Sequence, residues 1–360
     1  MTEGAVTPLP RVHDRTTIDE LRHAKFPELM ARLERIRASA VDVVADSRDL
    51  ALVPPTGGNG WGTFRVPGYG DLPLSRHAAV QLAEHTGIPT RYADRMADAL
   101  PDLLAENVNR WLQAVPARRL VRMAEDKVRA VLSDRYHTID NYDVAFLVAE
   151  RAQSHGAQVL TCSLTEERMS IRITVPNAAT DIRAGDRVVP GLLATNSEVG
   201  AGAFSVEPYV YRLLCQNGLV GEASLYRVHL GAKLEVGQID YQADTQQADA
   251  KAFLLKTRDV VDSTFDPATL ARVVARLRGA TEVLIHEPVR VLERHMDALD
   301  LTEDARKALL LAMGAANDYT AYGLVQAITA TARDAPTVDE ELRLQRYAGR
   351  ILDTTAEAVA

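Results

Sequence analysis

The chain has 360 residues, 47% hydrophobic and 25% charged, enough for a sizeable core and too apolar for the disordered class. Its formal charge of −8 argues against a generic nucleic-acid coat. Two cysteines, Cys162 and Cys215, exclude a disulfide framework, and no apolar run approaches the roughly 18 residues of a membrane span, so we expect a soluble cytoplasmic protein without membrane contact.

In chain order, residues 18–38 carry a helical pattern. A loop follows with Pro54, Pro55, Gly57, Gly58, Gly60 and Gly62, which lacks the Lys-Ser/Thr pair of a phosphate cradle. Ser75 is placed to cap a helix carrying Ala79, Leu82 and Ala83, and Gly87 ends it. After the Ile88-Pro89-Thr90 turn a second helix runs over residues 91–100. Ala83 and Gly87 stand where a helix-turn-helix places its small residue and its turn glycine. The pair reads either as a DNA-reading element or as an ordinary helical hairpin.

Residues 118–235 change to short alternating runs. Strands over 120–124 and 128–133 flank the turn Glu125-Asp126-Lys127, and a helix covers 141–155 with Val144, Phe146, Leu147 and Val148 as its apolar stripe. A second hairpin joins 158–164 to 169–175. There Ile171, Ile173 and Val175 alternate with Ser170, Arg172 and Thr174, which predicts one buried and one wet face. Further strands are expected over 188–195, 204–206, 209–215 and 223–229. From residue 243 helices return: Asp266-Pro267 opens one, Thr302 caps another, and Thr337 to Glu340 forms a capping box. The fold class is therefore α+β. A central antiparallel sheet (111–235) with a packed helix is flanked by helical regions over 1–110 and 236–360.

Residues 110–234 hold 15 Lys+Arg against 13 Asp+Glu, whereas 235–360 hold 14 against 21. The basic middle gathers Arg118, Arg119, Arg122, Lys127, Arg129 and Arg135 at the first hairpin. Arg172, Arg183 and Arg187 follow near the second, and Arg212, Arg227 and Lys233 on later strands. Tyr136, Tyr142, Tyr209, Tyr211 and Tyr226 lie in the same third. Cations spread over several strands with interleaved aromatics suit a groove for single-stranded nucleic acid. The other reading makes these cations solvated charges paired with Glu125, Asp126, Glu166 and Glu167.

Cys215 and His229 raise the question of a thiolate nucleophile, with Asn217 to orient the base, but Cys215 lies in an apolar run where a free cysteine packs as a small hydrophobe. The nine histidines show no metal-ligand spacing; Asp134, Asp140 and Asp143 could gather around Mg²⁺, or Asp140 could simply cap the helix after it. We assign no catalytic residue, no metal and no cofactor.

The runs Leu132-Ser133-Asp134-Arg135-Tyr136 and Ile139-Asp140-Asn141 resemble those of a known family. So do Asn196-Ser197, the stretch from Arg212 to Asn217, Arg227-Val228-His229, Gly87-Ile88-Pro89 and the stretch from Tyr322 to Thr329. Together they resemble the phage/plasmid-like proteins of domain-of-unknown-function family 932, over roughly residues 41–353. The resemblance implies a mobile-element setting and carries no established activity. One departure stands out: where the family often has His-Asp-Gly after the Asn-Ser pair, this chain has Glu198-Val199-Gly200. The order of hairpin, helix and hairpins also looks like the core of phage single-strand annealing proteins, which implies a homo-oligomeric ring or filament.

We therefore expect a mobile-element DNA-metabolism protein that binds single-stranded DNA and anneals complementary strands. Arg118, Arg119, Arg122, Arg129, Arg135, Tyr136, Arg172, Arg183, Arg187, Asn196, Arg212, Asn217, Arg227, His229 and Lys233 would contact the strand. One alternative is an enzyme acting on nucleic acid or nucleotide, with Asn196, Arg212, Asn217, Arg227 and His229 lining a cleft. Another is a non-catalytic interaction or anti-defence protein working through its acidic C-terminal helices.

Overall fold

The computed structural model describes residues 19–136, 138–213, 217–221, 227–228 and 243–353. It opens with strand β1 (Asp19–Ala24) and helix α1 (Phe26–Ser39), where the sequence reading expects one helix over 18–38. Pro27 lacks the N–H that a helix interior needs and sits in the first turn, so the helix begins there and the preceding residues pair as an edge strand.

Next come β2 (Val41–Asp46), then β3 (Ala51–Val53), β4 (Thr63–Val66) and β5 (Gly70–Pro73), which form a small antiparallel sheet. Helices α2 (Arg76–His85), α3 (Thr90–Ala99) and α4 (Pro101–Ala114) pack on it. Ser75 caps α2 through the amide of Ala78, and Gly87 takes the left-handed conformation that ends it, φ +66°.

The first hairpin is β6 (Arg118–Ala124) and β7 (Lys127–Ser133); both turn residues, Glu125 and Asp126, have positive φ, the geometry of a two-residue hairpin turn. This hairpin does not join the main sheet. It pairs with β2 to make a separate three-stranded sheet, so the single sheet expected over 111–235 is two.

The main sheet follows helix α5 (Asn141–Ser154). Its strands are β8 (Gln158–Thr165), β9 (Met169–Thr174), β10 (Thr180–Arg183), β11 (Asp186–Asn196), β12 (Phe204–Arg212), β13 (Asn217–Val220) and β14 (Arg227–Val228), with β1 on its edge. All strand pairings within this sheet are antiparallel. The runs expected over 204–206 and 209–215 form the one strand β12, with Pro208 inside it.

The C-terminal part supplies α6 (Ala243–Thr264), α7 (Pro267–Ala280), α8 (Pro288–Ala298), α9 (Glu303–Ala316), α10 (Ala321–Arg333) and α11 (Val338–Asp353). Asp266, Thr302 and Thr320 accept hydrogen bonds from first-turn amides of α7, α9 and α10.

The α+β class holds, but the wet face does not. Ile171, Ile173, Leu192, Ala194, Phe204 and Val206 pack on α1, α5 and α6. On the other face Leu193, Tyr209 and Val220 meet Val338 and Leu342 of α11. Every residue of β9 is buried, Ser170 and Arg172 included. The alternation marked two faces correctly; it does not say that helices distant in sequence cover both.

Candidate nucleic-acid interface

The first hairpin turns two of its arginines, Arg122 and Arg129, inward. Arg122, 3% exposed, sits among three carboxylates: Asp42 at 3.0 Å, Asp140, and Glu198 at 3.7 Å. Arg129 is bound to Glu198 as well. The other Glu198 oxygen accepts from the backbone N–H of Asn141 at the first turn of α5, 3.0 Å away. Asn196 donates to Oδ1 of Asn141 at 2.9 Å and to the Ile139 carbonyl at 3.1 Å. Tyr136 donates its hydroxyl to the Ser197 carbonyl at 3.0 Å, and burial pushes its pKa up. From α2, His77 and Gln81 both reach the carbonyl of Val199 at 2.9 Å.

Residues 196–201 thus form a clasp that joins the β2–β6–β7 sheet, α2 and α5 to the end of β11. Tyr136, Asp140, Asn141, Asn196 and Ser197, which carry the family resemblance, meet at this clasp. Glu198 is its centre; the sequence marked it only as a departure from the family pattern and a lone acid in an apolar stretch, with Arg122 and Arg129 far away in the chain. Arg122, Arg129 and Asn196 are buried and spend their contacts on these internal partners, with only Nε of Arg122 and Oδ1 of Asn196 left over, so they are structural rather than strand-contacting residues.

Other expected contacts are also neutralised. Arg172, 1% exposed, donates to Glu341 of α11 at 2.7 Å, although its Nε and Nη1 find no partner. Burial opposes ionisation of Glu341, yet hydrogen bonding to His23 and the charges of Arg172, His23 and Arg22 hold its pKa below the usual carboxylate range. Arg183 pairs with Asp318 at 2.7 Å. Arg212 makes a two-pronged contact with Asp186 at 2.6 and 2.8 Å, and the same carboxylate accepts from the hydroxyl of Tyr322.

Among the tyrosines, Tyr209 is buried with its pKa pushed up, and Tyr142 lies under the guanidinium of Arg37, 4.8 Å from the ring centre. Cys215, Tyr226, His229 and Lys233 lie outside the described residues. Asn217 and Arg227 are placed only by backbone pairing, with Arg212 and Ser205.

The cleft alternative needs Asn196 and Arg212 together. Arg212 pairs with Val188, eight strand positions from Asn196, which is roughly 25 Å at ~3.3 Å per residue. Nor do the three aspartates gather: Asp134, Asp140 and Asp143 face Arg118, Arg122 and Arg37 respectively. No group of three or more His, Cys, Asp or Glu able to hold a metal is found among the described residues. Cys162 is buried in the core, and burial raises its thiol pKa to about 12.

What stays open is the end of the hairpin where β6 begins and β7 finishes. Arg118 and Arg135 are exposed there, Arg118 with Asp134 at 3.9 Å. Arg119 lies half-buried between them and His85, its Nε without a hydrogen-bond partner and its pKa lowered by burial. Register pairs Arg119 with Ser133, whose hydroxyl accepts from the amide of Arg135. Arg187 is likewise exposed, but on the main sheet.

Fold and motif positions define a three-sheet α+β protein in which residues of the resemblance build a structural joint. The chain belongs to the family of the domain of unknown function DUF932, whose model matches residues 128–346, well over half of the chain. No curated protein and no solved structure matches it. No helix among the described residues is long and apolar enough to cross a membrane.

Proposed function

We propose that this protein binds single-stranded DNA in the cytoplasm, through the open end of the β2–β6–β7 sheet. The reading rests on the open end itself, where the half-buried Arg119 has no hydrogen-bonded carboxylate among the described residues. Arg118 and Arg135 beside it supply the further positive charge that a phosphate backbone requires. Annealing in a ring or filament, which draws on the order of elements, and the mobile-element setting, which draws on the family resemblance, belong to the same proposal.

The test is fluorescence anisotropy with a labelled poly-dT strand across a salt series. Binding should weaken with salt, and the combined variant Arg118→Ala, Arg119→Ala, Arg135→Ala should flatten the log–log slope by roughly 2, at ~0.7 per lost contact. Salt-insensitive behaviour of the wild-type chain, or an unchanged slope in the variant, refutes the reading. Light scattering with and without the strand tests for a ring.

A second reading, a protein-binding role for the C-terminal helices, is favoured by Leu311, 73% exposed beside Leu310 on α9. It predicts that Leu311→Lys removes partner capture while leaving the poly-dT isotherm unchanged.

A further inference from the structure

We propose that α2 and α3 form a helix-turn-helix that presents α3 to the groove of duplex DNA, an activity separate from strand binding at the hairpin end. The inner side of α3, Ala93, Met96 and Ala97, is buried against Ala78, Leu82 and Ala83 of α2 and against Leu104, Ala105 and Val108 of α4. Small residues at these contacts let the helices approach closely, and Ile88, 6% exposed, seals the turn after Gly87. Arg76 at the start of α2 makes a two-pronged contact with Asp94 of α3, and Nε1 of Trp61 donates to the same carboxylate at 3.2 Å. These contacts fix the rotation of α3 and neutralise Asp94, while the exposed Asp98, three residues after Arg95, stays on the outer side.

That outer side carries Arg91, Tyr92 and Arg95. Tyr92 is 52% exposed, and both arginines are exposed with neither a hydrogen bond nor an ion pair to their side chains. An ordinary helical hairpin is satisfied by the buried residues and asks nothing of the outward ones. Two unneutralised guanidinium groups one turn apart, with a phenol between them, match what a recognition helix places against base edges and phosphates.

The experiment selects binders from a randomised duplex of about 20 base pairs, two helical turns, with the full chain. It then compares the wild type with Arg91→Ala/Arg95→Ala on the selected duplex and on poly-dT. The proposal expects an enriched sequence, a loss of about 10-fold or more on that duplex, and an unchanged poly-dT isotherm. A second variant, Arg91→Lys/Arg95→Lys, keeps the charge and should keep the salt dependence while losing the sequence preference. Absence of any enriched sequence, or equal affinity of the alanine variant, overturns the proposal, and neither result bears on poly-dT binding. Both variants alter exposed, unpartnered side chains and should melt with the wild type.

Discussion

Replacing Glu198 with alanine tests whether the clasp holds the two sheets together. The substitution leaves Arg129, 8% exposed, without its carboxylate and strips the acceptor from the Asn141 amide. Removing one partner of a buried ion pair costs about 3–5 kcal/mol, because the other charge stays desolvated. The orphaned amide adds ~1–3 kcal/mol if no water replaces the carboxylate. Arg122 keeps Asp42 and Asp140, which limits the loss at that end. We expect a net destabilisation of about 3–5 kcal/mol, a large part of the ~5–15 kcal/mol by which such chains are stable. Urea unfolding followed by circular dichroism should show a lower midpoint with an unchanged slope. The paired change Arg129→Met with Glu198→Leu should recover most of the loss, since an apolar pair of similar volume replaces a buried ion pair at little cost. A single variant within ~1 kcal/mol of wild type would refute the reasoning. So would a paired variant as unstable as the sum of its two single changes.

Four further outcomes are expected. Arg119→Met should leave stability unchanged or slightly raised, because burial already disfavours its charge, while weakening poly-dT binding; a marked loss of stability would mean that the guanidinium has a structural partner. Burial and the charge of Arg119 lower the pKa of His85 from near 6.5, so the unfolded chain takes up that proton more readily than the folded one. Stability from this group is therefore level above pH ~6.5 and falls as the pH drops below it; His85→Gln, which keeps a donor for the Val131 carbonyl, should unfold with a shallower acid slope over that window. Cys162, with its thiol pKa near 12, should resist iodoacetamide at pH ~8 in the native chain and react on denaturation, as peptide mapping by mass spectrometry would show. Gly349→Ala should destabilise the protein in a melting assay, although helix propensity alone favours alanine by ~1 kcal/mol, because the added Cβ would overlap the carbonyl oxygen of Val220.

Local chemistry was legible wherever it works through neighbours in sequence. Ser75, Asp266 and Thr302 cap the helices their spacing announces, and Gly87 takes the positive φ that ends α2. The α+β class and both hairpins follow from periodicity, since a two-residue repeat and a helical repeat need only side-chain order. Partner choice over long separations was not legible. Nothing near residue 122 says that β2 will pair with β6, or that Asp42 and Glu198 will converge on Arg122. Nor does the run Ser170-Ile171-Arg172 show that α11 will bring Glu341 against it.

The same limit governs the site. An arginine on a strand has the same composition whether it faces water or a buried carboxylate, and only the packing decides between them. Tertiary structure therefore withdrew Arg122, Arg129, Arg172, Arg183 and Arg212 from the expected surface. It left Arg118 and Arg135 exposed where the sheet ends and Arg119 half-buried beside them, with no partner placed to meet the Nε of Arg119. The sequence by itself determined the caps, the two hairpins and which residues are small or charged, because these depend on neighbours in the chain. The fold decided which of those charges remain free to meet a partner.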